Sequence, residues 1–333
     1  MSAFTRDSLN IDAAAETARI VQALRRQLSQ NLKRRGLVIG LSGGIDSTVT
    51  AALAVRALGK DKVFGILMPE RHSEAESSSL GQKVADSLGI TCIEENITGI
   101  LESLRFYQRY DDAIREVIPA FGKGWLSKLV IGSISSGQQY TTFSIVAQAP
   151  DGTIVRERLS LNAYLGIVAA TNFKQRTRKM LEYYHADRLN YAVAGTPNRL
   201  EYDQGFFVKN GDGSADVKPI AHLYKTQVYA LAAHLGVPVE IRERPPTTDT
   251  YSMPQGQDEF YFALPHVQMD LCLYGKNHSI PAEAVAKAAG LDAATVQRVW
   301  EDIDRKRTTT RYLHLSPLLV EKVNEVSTTP DIS

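Results

Sequence analysis

Residues 40–48 read GLSGGIDST and join the apolar run LVIGL (37–41) to the helical pattern STVTAALAVRAL (47–58). Two adjacent glycines, Gly43 and Gly44, permit a tight turn with positive φ. Backbone N–H groups exposed in such a strand-to-helix turn form a concave anion site, reinforced by the helix N-terminus. Ser42 and Ser47 can add hydroxyl donors to phosphate oxygens. Asp46 puts a carboxylate beside that anion, which makes sense if a cation bridges them, so Mg²⁺ is implied. The plain alternative is a Gly-Gly turn capped by Ser and Asp. The full SGGxDS pattern after a strand favours the phosphate site. No Lys follows the glycines as in GxxxxGK[ST], and the spacing is not GxGxxG.

The surrounding pattern supplies the fold class. Residues 11–35 carry apolar side chains at helical spacing, with Gly36 placed to stop the helix. KVFGILM (62–68), GITCIEENI (89–97) and NYAVAG (190–195) read as strands, and 74–88 and 225–238 as helices. Strands alternating with helices predict an α/β fold, a mainly parallel sheet with right-handed crossovers and ligands beyond the strands' carboxyl ends. Between these units, YTTFSIVAQ and TIVRERLSL flank Ala149-Pro150-Asp151-Gly152, the signal of an inserted β-hairpin. The segment 281–307 reads as two surface helices and 326–333 as a frayed tail. One domain over 1–325, with an insertion at about 100–165, is the organisation expected.

Composition bounds the function classes. Lys+Arg number 38 and Asp+Glu 37, a balance that argues against a protein built to coat nucleic acid or an anionic membrane. Cys92 and Cys272 sit in no CxxC or Cys/His cluster, so neither a disulfide scaffold nor a structural zinc site is expected. The N-terminus lacks the pattern of a signal peptide, and no window reaches the ~20 apolar residues of a membrane span. A cytoplasmic location is the expectation.

The loop SGGIDS (42–47) resembles the pyrophosphatase loop of the N-type ATP pyrophosphatases. Residues 194–219, AGTPNRLEYDQGFFVKNGDGSADVKP, are similar to the GT-x4-E…GFFTKxGDGxAD block of ammonia-dependent NAD synthetases. Further matches are Asn172, Arg176 and Arg178 to Asn-x-x-x-Arg-x-Arg, Lys225, Pro246-Thr247, and PQGQDE (254–259). The resemblance covers roughly 15–100 and 165–310, and several motifs in order are far more specific than one loop. It implies a Rossmann-like adenine nucleotide alpha-hydrolase fold. It also implies NAD synthesis from deamido-NAD, ATP and ammonia through an adenylated carboxylate, releasing AMP and pyrophosphate. By resemblance, Gly40, Leu41, Ser42, Gly43, Gly44, Ile45, Asp46, Ser47, Thr196, Lys225 and Thr247 contact ATP. Asp46 and Glu201 hold Mg²⁺, and these two with Lys225 are the catalytic set. Arg176, Phe206, Lys209, Asp212, Asp216, Arg305 and Lys306 face the dinucleotide. A homodimer is implied too.

The residue chemistry agrees independently. Asp46 and Glu201 can share a cation on the triphosphate. Lys225 and Lys209 are point charges suited to phosphate or oxyanion. Taken singly, each has a plain alternative: a turn at Asp212-Gly213, a cap at Thr196, a core ring at Phe206, a solvated face at Arg176, and cations at a helix end for Arg305 and Lys306.

The main departure from the family pattern lies between Ile97 and Asn172, where 74 residues stand, well over the usual number. An insertion there can extend a dimer interface, cover the pocket, or remodel it for another carboxylate. An amide ligase of the same chemistry on a different carboxylate is therefore the alternative. A tRNA-thiolating enzyme would need sulfur-handling cysteines and a basic surface, which are not evident. A non-catalytic nucleotide-binding module is disfavoured by the two carboxylates. About 40 residues precede the phosphate loop, too few for a glutaminase domain, so ammonia is expected free or from a separate partner.

Overall fold

The computed structural model describes residues 4–73, 75–131, 143–245, 250–256, 261–262 and 264–326. The first helix, α1 (Ala13–Arg26), is capped by Asp12, whose carboxylate accepts from Ala14 N and Ala15 N at 3.0 Å. It runs on as a wider turn over Gln27–Leu32 and ends at Lys33, in the left-handed conformation at φ 51°, so Gly36 is not the stop. Then come β1 (Leu37–Gly40), α2 (Ile45–Leu58), β2 (Val63–Leu67), α3 (Ala75–Leu88) and β3 (Thr91–Glu94). Two short helices follow, α4 (Thr98–Ser103) and α5 (Phe106–Arg115). The segment expected to be an insertion holds β4 (Leu126–Ile131), β5 (Phe143–Gln148) and β6 (Ile154–Arg158). The remainder is α6 (Leu161–Leu189), β7 (Ala192–Val193), α7 (Arg199–Gln204), α8 (Lys225–His234), α9 (Val239–Glu243), α10 (His266–Asn277), α11 (Ala282–Ala289) and α12 (Ala293–His314).

The parallel sheet has the order β3-β2-β1-β7. The chain moves outward from β1 to β3, then returns to place β7 on β1's other side, with Leu37 opposite Ala192. That reversal opens a crevice at the carboxyl ends of β1 and β7, where doubly wound sheets bind ligands. Alternation along the strands sorts two cores. Leu37, Ile39, Val63 and Leu67 face Leu24, Leu53, Val84 and Leu231 of α1, α2, α3 and α8. Val38, Phe64 and Ile66 face Leu101, Phe106, Ile114, Ile167 and Ala186 of α4, α5 and α6. A third core joins α7 and α10–α12 around Leu200, Leu273, Val285 and Val299.

The expected hairpin is present as β5–β6, but it belongs to a three-stranded antiparallel sheet in which β4 pairs with β5. The segment 132–142, with most of the Gly/Ser-rich stretch, lies outside the described residues, as do 327–333. Among the described residues no helix is long and apolar enough to cross a membrane.

Candidate active site

The 40–48 loop leaves β1 and turns into α2 at the crevice. Gly43 has φ +73°, and a Cβ there would stand 2.7 Å from Ser77 O and 2.9 Å from Leu80 Cβ. Only glycine fits on both counts. The loop is closed by its own hydroxyls: Ser42 Oγ accepts from Gly44 N at 3.3 Å, and Ser47 Oγ and Thr48 Oγ1 donate to Gly44 O at 3.0 and 2.8 Å.

Asn198, which caps α7, brings the two candidate metal carboxylates to common neighbours. Its side-chain oxygen accepts from Leu200 N at 2.9 Å, and its own N–H donates to Glu201 Oε2 at 3.1 Å. This is a capping box. Its Nδ2 donates to Asp46 Oδ1 at 3.3 Å. Buried Lys225, the first residue of α8, is ion-paired with Asp46 Oδ2. Burial alone would lower the Lys225 ammonium pKa, but the Asp46 and Glu201 carboxylates outweigh it and hold it above lysine's ordinary value. The N-terminus of α8 is fixed by Asp270 of α10, which accepts from Lys225 N at 3.2 Å and Thr226 N at 2.7 Å. Burial pushes the Asp270 carboxyl up to about 6, against these donors.

The loop, the carboxylates and Lys225 line one cavity of about 480 Å³. Gly40, Leu41, Ser42, Gly44, Ile45, Asp46, Ser47, Thr196, Glu201, Phe206, Asp212 and Lys225 all border it. Phe206 stacks on Tyr261 with centroids 4.6 Å apart. Asp212 accepts from Val208 N at 2.8 Å, and burial pushes its carboxyl pKa up. The other predicted residues lie elsewhere. Gly43 packs against α3 and is not among the lining residues. Arg176 donates to Lys209 O at 3.2 Å, and Lys209 Nζ donates to Tyr312 O at 2.7 Å, so both tie chain segments together outside the cavity wall. Asp216 holds Val193 N at 2.7 Å, anchoring β7. The basic run is helical within α12: Arg305 is exposed, and Lys306 donates to Tyr261 O at 2.5 Å and pairs with Asp302 at 2.6 Å. Thr247 lies outside the described residues.

Three groups in or beside the site escape the motif reading. Asn198 is one, signalled by its place three residues before Glu201. The others are Lys179 and Glu182 of α6, a buried ion pair of 2.5 Å that borders the cavity. A Cβ on Gly40 would come within 2.9 Å of Glu182 Oε1, so that glycine makes room for the carboxylate. The cysteines are unpaired, and burial pushes the Cys92 thiol up to about 11 and the Cys272 thiol up to about 12. Neither is a ready thiolate.

Comparison with known proteins shows the family. The family described as NAD synthase matches residues 16–121 and 137–311. The NH(3)-dependent NAD(+) synthetase of Rhizobium meliloti (strain 1021) is 60% identical over 97% of this chain and 96% of its own. That of Mesorhizobium japonicum is 58% identical over 95% and 99%. Among solved structures, the NH3-dependent NAD synthetase from Campylobacter jejuni superposes with TM-score 0.60 at 20% identity, over 93% of this chain and all of that one. The NMN synthetase from Francisella tularensis gives 0.63 at 24%, again over 93% and 100%. At those identities the likeness speaks for the fold. With the family matched over most of its length and relatives near 60% identity from end to end, this chain belongs to the NAD synthase family.

Proposed function

We propose that this protein makes NAD by amidating deamido-NAD with ammonia, at the cost of ATP cleaved to AMP and pyrophosphate. The observation that carries the reading is the meeting of Asp46, Asn198, Glu201 and Lys225 beside the SGGIDS loop at the β1/β7 crevice. The loop N–H groups and hydroxyls suit the triphosphate. Lys225, held charged by two carboxylates, suits a phosphate oxygen or the developing oxyanion. Phe206 and Asp212 border the same cavity and suit the acceptor. Catalysis here is positioning and charge stabilisation, with no protein nucleophile.

The donor set fits Mg²⁺. Asp46 and Glu201 are hard oxygen ligands that share Asn198 and Lys225 as neighbours. Among the described residues no cluster of three or more acidic, His or Cys groups could cage an ion. One or two carboxylates completed by substrate phosphates is the mode Mg²⁺ prefers. When bound, the ion neutralises charge on the departing pyrophosphate.

A cytoplasmic homodimer, using free ammonia or ammonia from a partner, completes the reading. The dimer is supported by α6, which exposes two apolar i,i+4 pairs, Leu161 with Leu165 and Met180 with Tyr184. The test is pyrophosphate release from Mg-ATP and ammonium with and without deamido-NAD, followed together with NAD. Release that needs deamido-NAD and matches NAD formed is expected. ATP cleavage driven instead by another carboxylate, with no NAD, would transfer the reading to an amide ligase on that acceptor.

A further inference from the structure

The inserted sheet bears on the cavity once directly and once through a neighbouring segment. Phe143, the first residue of β5, lines it, with its ring stacked on Tyr164 of α6 at 4.1 Å between centroids. The indirect link runs through β4, the outer strand in the order β4-β5-β6. An edge strand leaves every other residue's N–H and C=O unpaired. Here residues 252–255 take them up. Ser127 N donates to Ser252 Oγ at 2.8 Å, and Ser127 O accepts from Met253 N at 3.2 Å. Two residues on, Leu129 O accepts from Gln255 Nε2, and between them Lys128 Nζ donates to Pro254 O at 3.3 Å. Ser127 is fully buried, and its own hydroxyl meets Tyr110 Oη at 2.9 Å.

The same segment is fastened from the helical side. Lys174 Nζ donates to Thr250 O at 2.8 Å and pairs with Glu70 Oε1 at 2.6 Å; Tyr107 Oη donates to Glu70 Oε2 at 2.9 Å. Lys174 and Glu70 are both buried. Between the two attachments stand Thr250 and Tyr251, which line the cavity.

We propose that the inserted sheet is a positioning element of the nucleotide pocket. Its β4 edge, through Ser252 and Gln255, holds Thr250 and Tyr251 as a wall on which ATP affinity depends. The idea rests on the functional reading above only in taking ATP as the nucleotide. A segment fixed in advance need not be ordered when ligand arrives, so its clips show up as affinity. Losing one such hydrogen bond weakens binding roughly 3- to 10-fold.

The test uses the full chain with Ser252→Ala, Gln255→Met, the double variant and Ser252→Thr. The dissociation constant of Mg²⁺–α,β-methylene-ATP is measured by calorimetry, beside KM for ATP and kcat. The clip predicts roughly 3- to 10-fold weaker binding in each single variant and more than about tenfold in the double. Ser252→Thr, which keeps the hydroxyl, restores binding to within about twofold. KM should rise while kcat stays within about threefold. A folded double variant that binds the analogue as the parent does overturns the proposal, as does a lost kcat with unchanged KM. Should Ser252→Ala fail to fold, Gln255→Met is read alone by the same criteria. A parent that binds the analogue but makes no NAD defeats the functional reading and leaves the clip measurable.

Discussion

Asn198 does two jobs with one amide: its oxygen caps α7 and its nitrogen holds Asp46. The two can be separated. Asn198→Ser keeps an N-cap oxygen and should cost under about 0.5 kcal/mol of stability, while Asn198→Ala costs about 1 kcal/mol. Both lose the donor to Asp46, so turnover should fall in both by roughly tenfold or more. Denaturation midpoints set beside kcat check this; full activity in Asn198→Ser would remove the Asp46 role. At Glu201, Glu201→Gln keeps the shape and removes the charge. NAD formation should then drop by at least about a hundredfold, with only a small shift in melting temperature. Which side chains gather at the crevice was legible in the sequence where a motif carried them, as at Asp46, Glu201 and Lys225. It was not legible at Lys179 and Glu182. Their importance comes from which face of α6 meets the cavity, and a solvated charge pair at i,i+3 spacing looks the same on paper.

Among the elements, α8 and α6 carry the clearest consequences. The α8 N-terminus bears Lys225 and is capped by Asp270, whose folded pKa of about 6 lies above the ordinary 3.8. The folded protein therefore holds that proton more tightly than the unfolded chain, and stability falls as pH rises through about 4 to 6. The shift corresponds to something on the order of 2–3 kcal/mol. Asp270→Asn should flatten that part of the curve, read from chemical denaturation between pH 4 and 7. An unchanged slope would assign the titration elsewhere. For α6, Met180→Glu puts a charge into the exposed apolar pair Met180 and Tyr184. Sedimentation should show the dimer weakened by about tenfold or more; an unchanged assembly would move the interface off this helix. The strands and helices flanking the phosphate loop were readable because periodicity and glycine stops agree there. LSKLVI (β4) was not, because it lies alone between glycine-rich stretches and its partner is reached only across the following segment. The α1 terminus differs from expectation because Lys33 adopts the left-handed turn itself.

Seen whole, the molecule places its candidate site where the strand order reverses. That is legible from strand order alone once β1 and β7 are recognised as neighbours. What the sequence hides is which distant segments share a wall, since Asp46, Glu201 and Lys225 meet only after the chain has gone around. The pairing of Leu37 with Ala192 has a further consequence during synthesis. About 150 residues separate β1 from the strand that covers its open edge. At ribosomal speeds of ~5–20 residues per second, that edge waits roughly 8–30 seconds for its partner. Over that interval a nascent chain carries a buried-type strand, LVIG, with unpaired N–H and C=O groups. The interval belongs to the topology, and a longer insertion would lengthen it. Co-translational shielding of residues 37–40 is thus a demand that the β1/β7 crevice itself places on the cell.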